Sequence, residues 1–218
     1  MKNNILIYYL TIFIFFNISN ICAKEITFDT TEINISNNGN IINAGKGVAK
    51  LIEDNIKINA NEFKYFKNLL ILEAYDGIAV ATNNNIEIKA KKFKYNKNLS
   101  IINAVGNVEI RDLEKDFLIK SQNIFYYIKD NKVESKTKSY FNDSLNNNLA
   151  ATSFTYTLND NLIKFNEATI VDKKENIYTV EKAFLNVKSN KLIGKDVFIN
   201  FNDNSFQKNS EPRLKGNS

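Results

Sequence analysis

A short phrase recurs along this chain at a spacing of thirty residues, and it constrains the fold more than any other feature. Segment 43–48 returns at 73–78 and again at 103–108, each time with Ala in second place and Val or Ile in last place. Between these copies, segment 56–65 returns without a gap at 86–95. A fixed period in this range indicates one supersecondary unit stacked on copies of itself, with a core that runs along the stack.

The repeats alternate apolar and polar residues. Ile56, Ile58 and Ala60 share one face of their segment, while Lys57 and Asn59 take the other. Alternation with period two is typical of β-strands that have one dry and one wet face. No convincing helical period occurs after residue 23. The sequence therefore predicts an all-β fold, an elongated β-roll of stacked repeats of about 30 residues with a continuous apolar interior.

Each long repeat breaks its alternation at the same place. Two residues separate Ala60 from Phe63, and two separate Ala90 from Phe93. A single-residue β-bulge at each break keeps Phe63 and the following Tyr65 on the dry face. The recurrence of the break in both copies indicates that it is a regular feature of the repeat and not an accident.

The chain divides into three parts. Residues 1–23 combine Lys2, an apolar run of about a dozen residues and a closing Ala23, which is typical of a secretory signal peptide. Residues 24–201 form one β domain, in which segment 132–148 is the least periodic and is expected to be a longer loop or edge excursion. Residues 202–218 are polar and are expected to be a mobile tail.

Two other interpretations of the N-terminal segment stay open. A retained membrane anchor is disfavoured because the apolar run is shorter than the roughly twenty residues of a membrane span. A lipid-modified Cys22 is disfavoured because Ile21 stands where a lipoprotein signal has a small residue.

The residue types exclude most catalytic machinery. The chain contains no His, and its single cysteine, Cys22, is lost with the signal peptide. Ser-His-Asp triads, Cys-His pairs and His-bound metal sites therefore cannot be built. The densest acidic spots, at 53–54 and 112–116, lack the spacing of a calcium loop and are expected to be solvated surface. We expect no enzyme, no cofactor and no metal.

The charge balance suggests an acidic partner. The net charge of +5 becomes +4 when Lys2 is removed, and the pI is about 9.0. For an exported protein this favours phosphorylated lipid headgroups over nucleic acid, although an AT-rich genome explains the Lys content equally well. Lys92 and Lys94 point away from Phe93 and Tyr95, so rings and charges do not form one stacking platform.

The dry face has two possible roles. If the two sides of the roll meet and fill each other, the apolar residues form a closed structural core. If the sides are held apart, the same residues line a slot suited to acyl chains, whose burial contributes about 0.8 kcal/mol per methylene.

Four phrases carry a resemblance to a known family: Ile58-x-Ala60-x-x-Phe63-x-Tyr65, Ala74-x-x-Gly77-Ile78, Ile88-x-Ala90-x-x-Phe93-x-Tyr95 and Ala104-x-Gly106-Asn107-Val108. In order, and behind a signal peptide, they resemble the OstA-type domain of the lipopolysaccharide-transport proteins. That family includes the periplasmic bridge protein LptA and the N-terminal periplasmic domain of the outer-membrane assembly protein LptD. The resemblance covers about residues 27–201, and the chain is expected to be either a stand-alone bridge-like protein or a piece of a longer one.

The resemblance implies a twisted, open-ended β-jellyroll in the periplasm or associated with the outer membrane. Its edges would add strands to neighbouring jellyroll components of the transport system and to an outer-membrane barrel protein. It would bind lipopolysaccharide, shield the lipid A acyl chains and catalyse nothing; the alternative is a structural or adhesive exported β-solenoid with a closed core. The implied headgroup contacts are Lys57, Lys89, Lys92 and Lys94. The implied lipid-binding residues are Ile56, Ile58, Phe63, Tyr65, Ile86, Ile88, Phe93, Tyr95, Ile119, Ile124 and Phe154.

Overall fold

Strands account for nearly all regular structure in the computed structural model, which describes residues 26–115, 117–142, 148–189 and 191–202. Two short 3₁₀ turns, Lys67–Leu69 and Thr82–Asn84, are the helical elements of this part of the chain. The strands are β1 Ile26–Thr30, β2 Ile33–Ser36, β3 Ile41–Ala44, β4 Gly47–Leu51, β5 Ile56–Phe66, β6 Ile71–Ala81, β7 Ile86–Asn96, β8 Ile101–Asp112, β9 Phe117–Tyr127, β10 Lys132–Ser135, β11 Ser139–Asn142, β12 Asn148–Thr157, β13 Leu162–Val171, β14 Ile177–Asn186 and β15 Lys191–Asn200.

The predicted all-β class is confirmed. All fifteen strands of the described residues belong to one antiparallel sheet. From β5 to β9 and from β12 to β15, each strand pairs with the next one along the chain. The sheet is open, with β1 and β2 at one edge and β15 at the other. The predicted signal peptide at 1–23 lies outside the described residues, as does the predicted tail apart from Asn202.

At three places in the sheet, two short strands lie end to end and together take the place of one full-length strand. β4 and β3 pair with the two halves of β5, and β1 and β2 pair with β4 and β3 in turn. In the same way, β11 and β10 pair with the two halves of β9 and of β12. The expectation of a longer loop or edge excursion at 132–148 is therefore wrong for residues 132–142, which form an internal strand position broken only at 136–138.

The break in alternation is a kink shared by neighbouring strands, and the predicted bulges at 61–62 and 91–92 are wrong. Ala60, Gly77 and Ala90 are partners across β5, β6 and β7, and the register is unchanged on the far side of the break. A bulge would add a residue to one strand alone. The register shifts instead at β8, which carries one extra residue at Gly106. The predicted outcome still holds, because Phe63 and Tyr65 are buried.

Left-handed backbone produces the kink on alternate strands. Asp76, Asn107, Glu167 and Asp196 have φ between 48° and 56° and lie in β6, β8, β13 and β15. Asn and Asp tolerate this region better than other residues, and one such residue turns the strand without ending the ladder. Gly77 follows Asp76 in the chain. A Cβ added at Gly77 would lie 2.5 Å from the Asn59 carbonyl oxygen. The kink therefore requires small residues where strands approach closely.

The kinks fold the sheet along its middle into two walls. An eleven-residue strand such as β7 would span about 35 Å if it were straight. Yet the Tyr95 hydroxyl, near one end of β7, lies 2.6 Å from an oxygen of Asp54, in a turn beside the other end. We name the first wall as residues 56–60 of β5 with their lateral partners, and the second wall as residues 63–66 with theirs.

On the inner face from β3 to β8, Ala and Phe alternate from strand to strand in one row. The alternation ends farther along the sheet, where Phe154 of β12 and Phe165 of β13 are direct lateral partners. A thirty-residue period therefore corresponds to one hairpin, because the pattern returns on every second strand. One inner row of the second wall reads Ala44, Phe63, Ala74, Phe93, Ala104 and Ile124.

Candidate functional site

The interior between the walls contains every apolar residue that the sequence suggested for lipid binding. The first wall supplies Ile56, Ile58, Ile86, Ile88 and Ile119, and all five are buried. The second wall supplies the remaining six, and all are buried in the same apolar cluster: Phe63, Tyr65, Phe93, Tyr95, Ile124 and Phe154. The structure therefore brings the whole predicted set together, five residues facing six.

The two walls are in contact. Phe28 of β1 lies in line with the first wall, and its ring centroid is 5.8 Å from that of Phe63 in the second wall. Farther along the roll, the rings of Phe141 and Phe165 meet at 5.7 Å with an interplanar angle of 71°. These are the edge-to-face distances of packed aromatic cores. An acyl chain can occupy this interior only if the walls move apart.

Side-chain hydrogen bonds join the walls along the margin where the turns lie, opposite the kinks. The first bond is between Tyr95 of β7 and Asp54 of the turn before β5: the hydroxyl donates to the carboxylate over 2.6 Å. Burial raises the pKa of Tyr95, and the neighbouring Asp54 carboxylate raises it further. The hydroxyl is therefore a protonated donor throughout the neutral range.

A second connection lies one hairpin farther along. The Asn84 side-chain amide donates to the Tyr126 hydroxyl over 2.8 Å and to Asn131 Oδ1 over 2.8 Å. Asn84 lies in the turn after β6, and Asn131 lies in the turn after β9. Turns of the two walls therefore touch directly at this point.

A third connection contains a buried charge. The Tyr156 hydroxyl donates to Asp112 Oδ2 over 3.0 Å, and Lys115 Nζ reaches the same carboxylate oxygen over 2.7 Å. The Asp112 side chain is fully buried, whereas that of Lys115 is 19% exposed. Burial raises the pKa of Tyr156, and the Asp112 charge adds to the effect. The backbone N–H groups of Glu114 and Lys115 complete the carboxylate's partners.

We call these three connections the seam. Each seam tyrosine reaches a side chain 41 to 44 residues earlier in the chain, so the walls are skewed by two to three strands, consistent with the twist of β-sheets. A hydrogen bond of this kind contributes a net 0.5–1.5 kcal/mol or about twice that when charged. The seam is thus weak beside the continuous backbone ladders of each wall.

Sequence reasoning did not find the seam. The acidic spots at 53–54 and 112–116 were expected to be solvated surface, and this is wrong for Asp54 and Asp112, which bind tyrosines. The available signal was the return of Tyr, in place of Phe, at the end of each repeat. A buried tyrosine usually requires a partner for its hydroxyl.

The four lysines suggested for headgroup contact lie outside the roll and do not form one cluster. Lys57 and Lys89 are on the outer face of the first wall, Lys94 is on that of the second, and Lys92 lies at the kink beside it. Lys92 pairs with Glu73 at 3.1 Å. That hydrogen bond raises the pKa of Lys92 despite partial burial.

The apolar interior extends to β15, where inward-facing side chains are exposed. Leu192 and Val197 are the lateral partners of buried Leu185 and Val180, so they face inward. They are nevertheless 42% and 47% exposed. The apolar face of the roll therefore continues to the edge of the described sheet.

Among the described residues, no group of three or more His, Cys, Asp or Glu side chains could hold a metal ion. The same part of the chain contains no helix long and apolar enough to cross a membrane.

The structure is similar to that of LptH from Pseudomonas aeruginosa, described as the LptA-homologous periplasmic component of the conserved lipopolysaccharide transport device. The TM-score is 0.44 and the sequence identity is 12%, over 60% of this chain and 92% of that one. No protein-family model matches the chain, and neither does any curated protein.

Proposed function

We propose that this protein is an exported lipopolysaccharide-binding module that shields lipid A acyl chains during their transfer to the outer membrane. The observation that carries the proposal is the apolar interior, which runs along the whole sheet and stays uncovered at Leu192 and Val197. A soluble structural core would be expected to end in polar or capped residues, as terminal repeats of stacked folds do.

The interior matches the chemistry of an acyl chain. Most of its side chains are aliphatic or aromatic, apart from the buried and mutually hydrogen-bonded Ser121, Ser135 and Ser139. In the row from Ala44 to Ala104, Ala alternates with Phe, which leaves small residues beside Phe63 and Phe93. Burial of a dozen methylenes contributes about 10 kcal/mol, at about 0.8 kcal/mol each. That gain must exceed the loss of wall contacts and seam hydrogen bonds when the walls move apart. The headgroup, being charged, would remain in water.

The open edges suit a role in a chain of similar modules. β15 is ten residues long, and among the described strands its one lateral neighbour is β14. Unpaired backbone groups on such an edge favour the addition of a strand from a partner. We therefore propose jellyroll components of the transport system as partners, and the periplasm as the location.

The outer lysines are proposed to meet lipid phosphates. Lys57, Lys89, Lys92 and Lys94 remain candidates because a phosphate binds an ammonium as a point charge. They do not form one headgroup site, since Lys57 and Lys89 lie on the first wall and Lys94 lies on the second. No catalytic step is proposed, because the sequence has no His and its single cysteine is Cys22.

Photocrosslinking tests the binding site. A photoreactive phenylalanine analogue would replace Phe63 or Phe93 inside, and Phe125 or Tyr140 on the outer faces, in cells that make labelled lipopolysaccharide. Capture of the lipid at the two inner positions only is the expected result, because the acyl chains lie between the walls. Equal capture at inner and outer positions contradicts the proposal.

The contacts between the walls favour a second candidate, a structural or adhesive β-solenoid with a closed core. The ring pair Phe28–Phe63, for example, packs as an ordinary interior does. Calorimetric titration with lipid A separates the two functions. Binding heat that is lost when Phe93 is replaced by Asp favours transport, whereas the absence of heat in the unaltered protein favours the structural role.

A further inference from the structure

The seam is the weakest closure around the interior. Along the opposite margin every full-length strand passes from one wall to the other without a break in the chain. Within each wall, neighbouring strands are joined by continuous ladders. Among the described residues, the hydrogen bonds that join the two walls at the seam are made by side chains, as between Tyr95 and Asp54, Asn84 and Tyr126 or Asn131, and Tyr156 and Asp112.

We propose that acyl chains enter the interior sideways, through the seam, which opens while the kinked margin acts as the hinge. This inference rests on the proposed lipid-binding function and specifies how its site is reached. Opening the seam separates side-chain partners and leaves every backbone ladder intact. Passage between two strands of one wall would break a ladder, and passage along the axis would require the lipid to pass a filled interior from one end.

The geometry of the seam fits a reversible closure. The tyrosines keep their rings in the interior, so each ring packs against the apolar cluster while its hydroxyl marks the margin. Lys115 lies at this margin with its side chain partly exposed. A chain that enters here would leave its headgroup in water beside the turns, with an ammonium group within reach.

A reversible crosslink across the seam tests the inference. Asn84→Cys and Asn131→Cys would be combined in a Cys22→Ser background with a photoreactive analogue at Phe93. A short bis-methanethiosulfonate reagent would join the two thiols, and a reductant would release them. The matched control is Glu73→Cys with Lys94→Cys, whose residues are direct partners on β6 and β7 within the second wall. The probe is purified lipid A.

Capture of lipid A at Phe93 is expected to fall at least fivefold in the crosslinked seam variant and to return on reduction. The control pair is expected to show no change. Equal capture by the crosslinked and reduced seam variants overturns the seam as the route and leaves the proposed function standing. Capture at Phe93 in neither form, nor in a protein without added cysteines, overturns the proposed function itself.

A loosened seam gives the opposite change. Tyr95→Phe removes the hydroxyl that binds Asp54 and keeps the ring. The initial rate of capture at Phe93 is expected to rise at least threefold, while Tyr140→Phe on the outer face leaves it unchanged. An unchanged rate in Tyr95→Phe contradicts the role of the seam.

Discussion

The middle of the roll and its β15 edge have the same sequence pattern but different burial. Phe93 on β7 is fully buried, whereas Leu192 on β15 is 42% exposed, although both point inward. β7 has a strand on each side, whereas β15 pairs with a single strand in the part of the chain that the structure describes. Burial in a stacked sheet is thus supplied by adjacent repeats more than by the residue's own strand. The same apolar residue stabilises the middle and leaves the edge available for a ligand or a partner strand.

The largest expected effect tests this comparison directly. Phe93→Ala should lower the free energy of unfolding by about 3–5 kcal/mol, because it leaves a cavity in a packed interior. Leu192→Ala should lower it by less than about 1 kcal/mol, because much of that side chain already contacts water. Denaturant unfolding of both variants measures the difference. Equal losses would show that β15 is as well covered as the middle.

Tyr156→Phe should have the next largest effect. It removes a hydroxyl bonded to the buried Asp112 carboxylate, and loss of a partner for a buried charged group costs about 1–3 kcal/mol. Tyr140→Phe, at a side chain 49% exposed, is the control and should change stability little. If the two variants unfold at the same denaturant concentration, the seam does not stabilise the middle of the roll.

The turn near the β15 end should give a smaller, pH-dependent effect. Partial burial opposes ionisation of Asp172, but hydrogen bonds from Asn176, Tyr178 and the Lys174 N–H outweigh it and hold its pKa below the ordinary 3.8. Because the folded pKa is depressed, the stabilisation is complete above the unfolded value and is lost as the pH falls through the folded one. Unfolding curves from pH 6 to pH 2 should show this loss, and Asp172→Asn should remove that part of the pH dependence.

The smallest effect is expected on the outer surface. Lys92→Ala breaks the ion pair with Glu73, in which the Lys92 side chain is 41% exposed. Such pairs contribute about 0.2–1 kcal/mol at most, and salt screens them. The variant and the original protein should have the same stability in 1 M NaCl. A large loss that persists in salt would mean that outer contacts matter as much as inner ones.

The alternation of the sequence was sufficient to predict the strand class and the inner face. Phe63 and Tyr65 lie inside as expected, because side-chain period and burial are properties of a single strand. The cause of the kink was not predictable in the same way. Whether a break is a bulge or a shared turn depends on the register with the neighbouring strand, and Asp76, on that neighbour, provides the left-handed residue.

The seam could not be predicted from the sequence, for a different reason. Tyr95 and Asp54 are separated by 41 residues and meet only because the sheet folds along its middle. The exposure of Leu192 could not be predicted either. The alternation of apolar and polar residues indicates which way a side chain points, but not how many strands cover it. Pairings across the fold and the identity of the edges require the three-dimensional arrangement.

The alternation of strand direction also limits how such a fold can change length. Each full-length strand crosses both walls and the next one returns, so loss of a single strand would reverse the direction of every strand after it. Loss or duplication of a whole hairpin keeps that direction. A roll of this type can therefore become longer or shorter in steps of two strands without rebuilding the rest of the sheet.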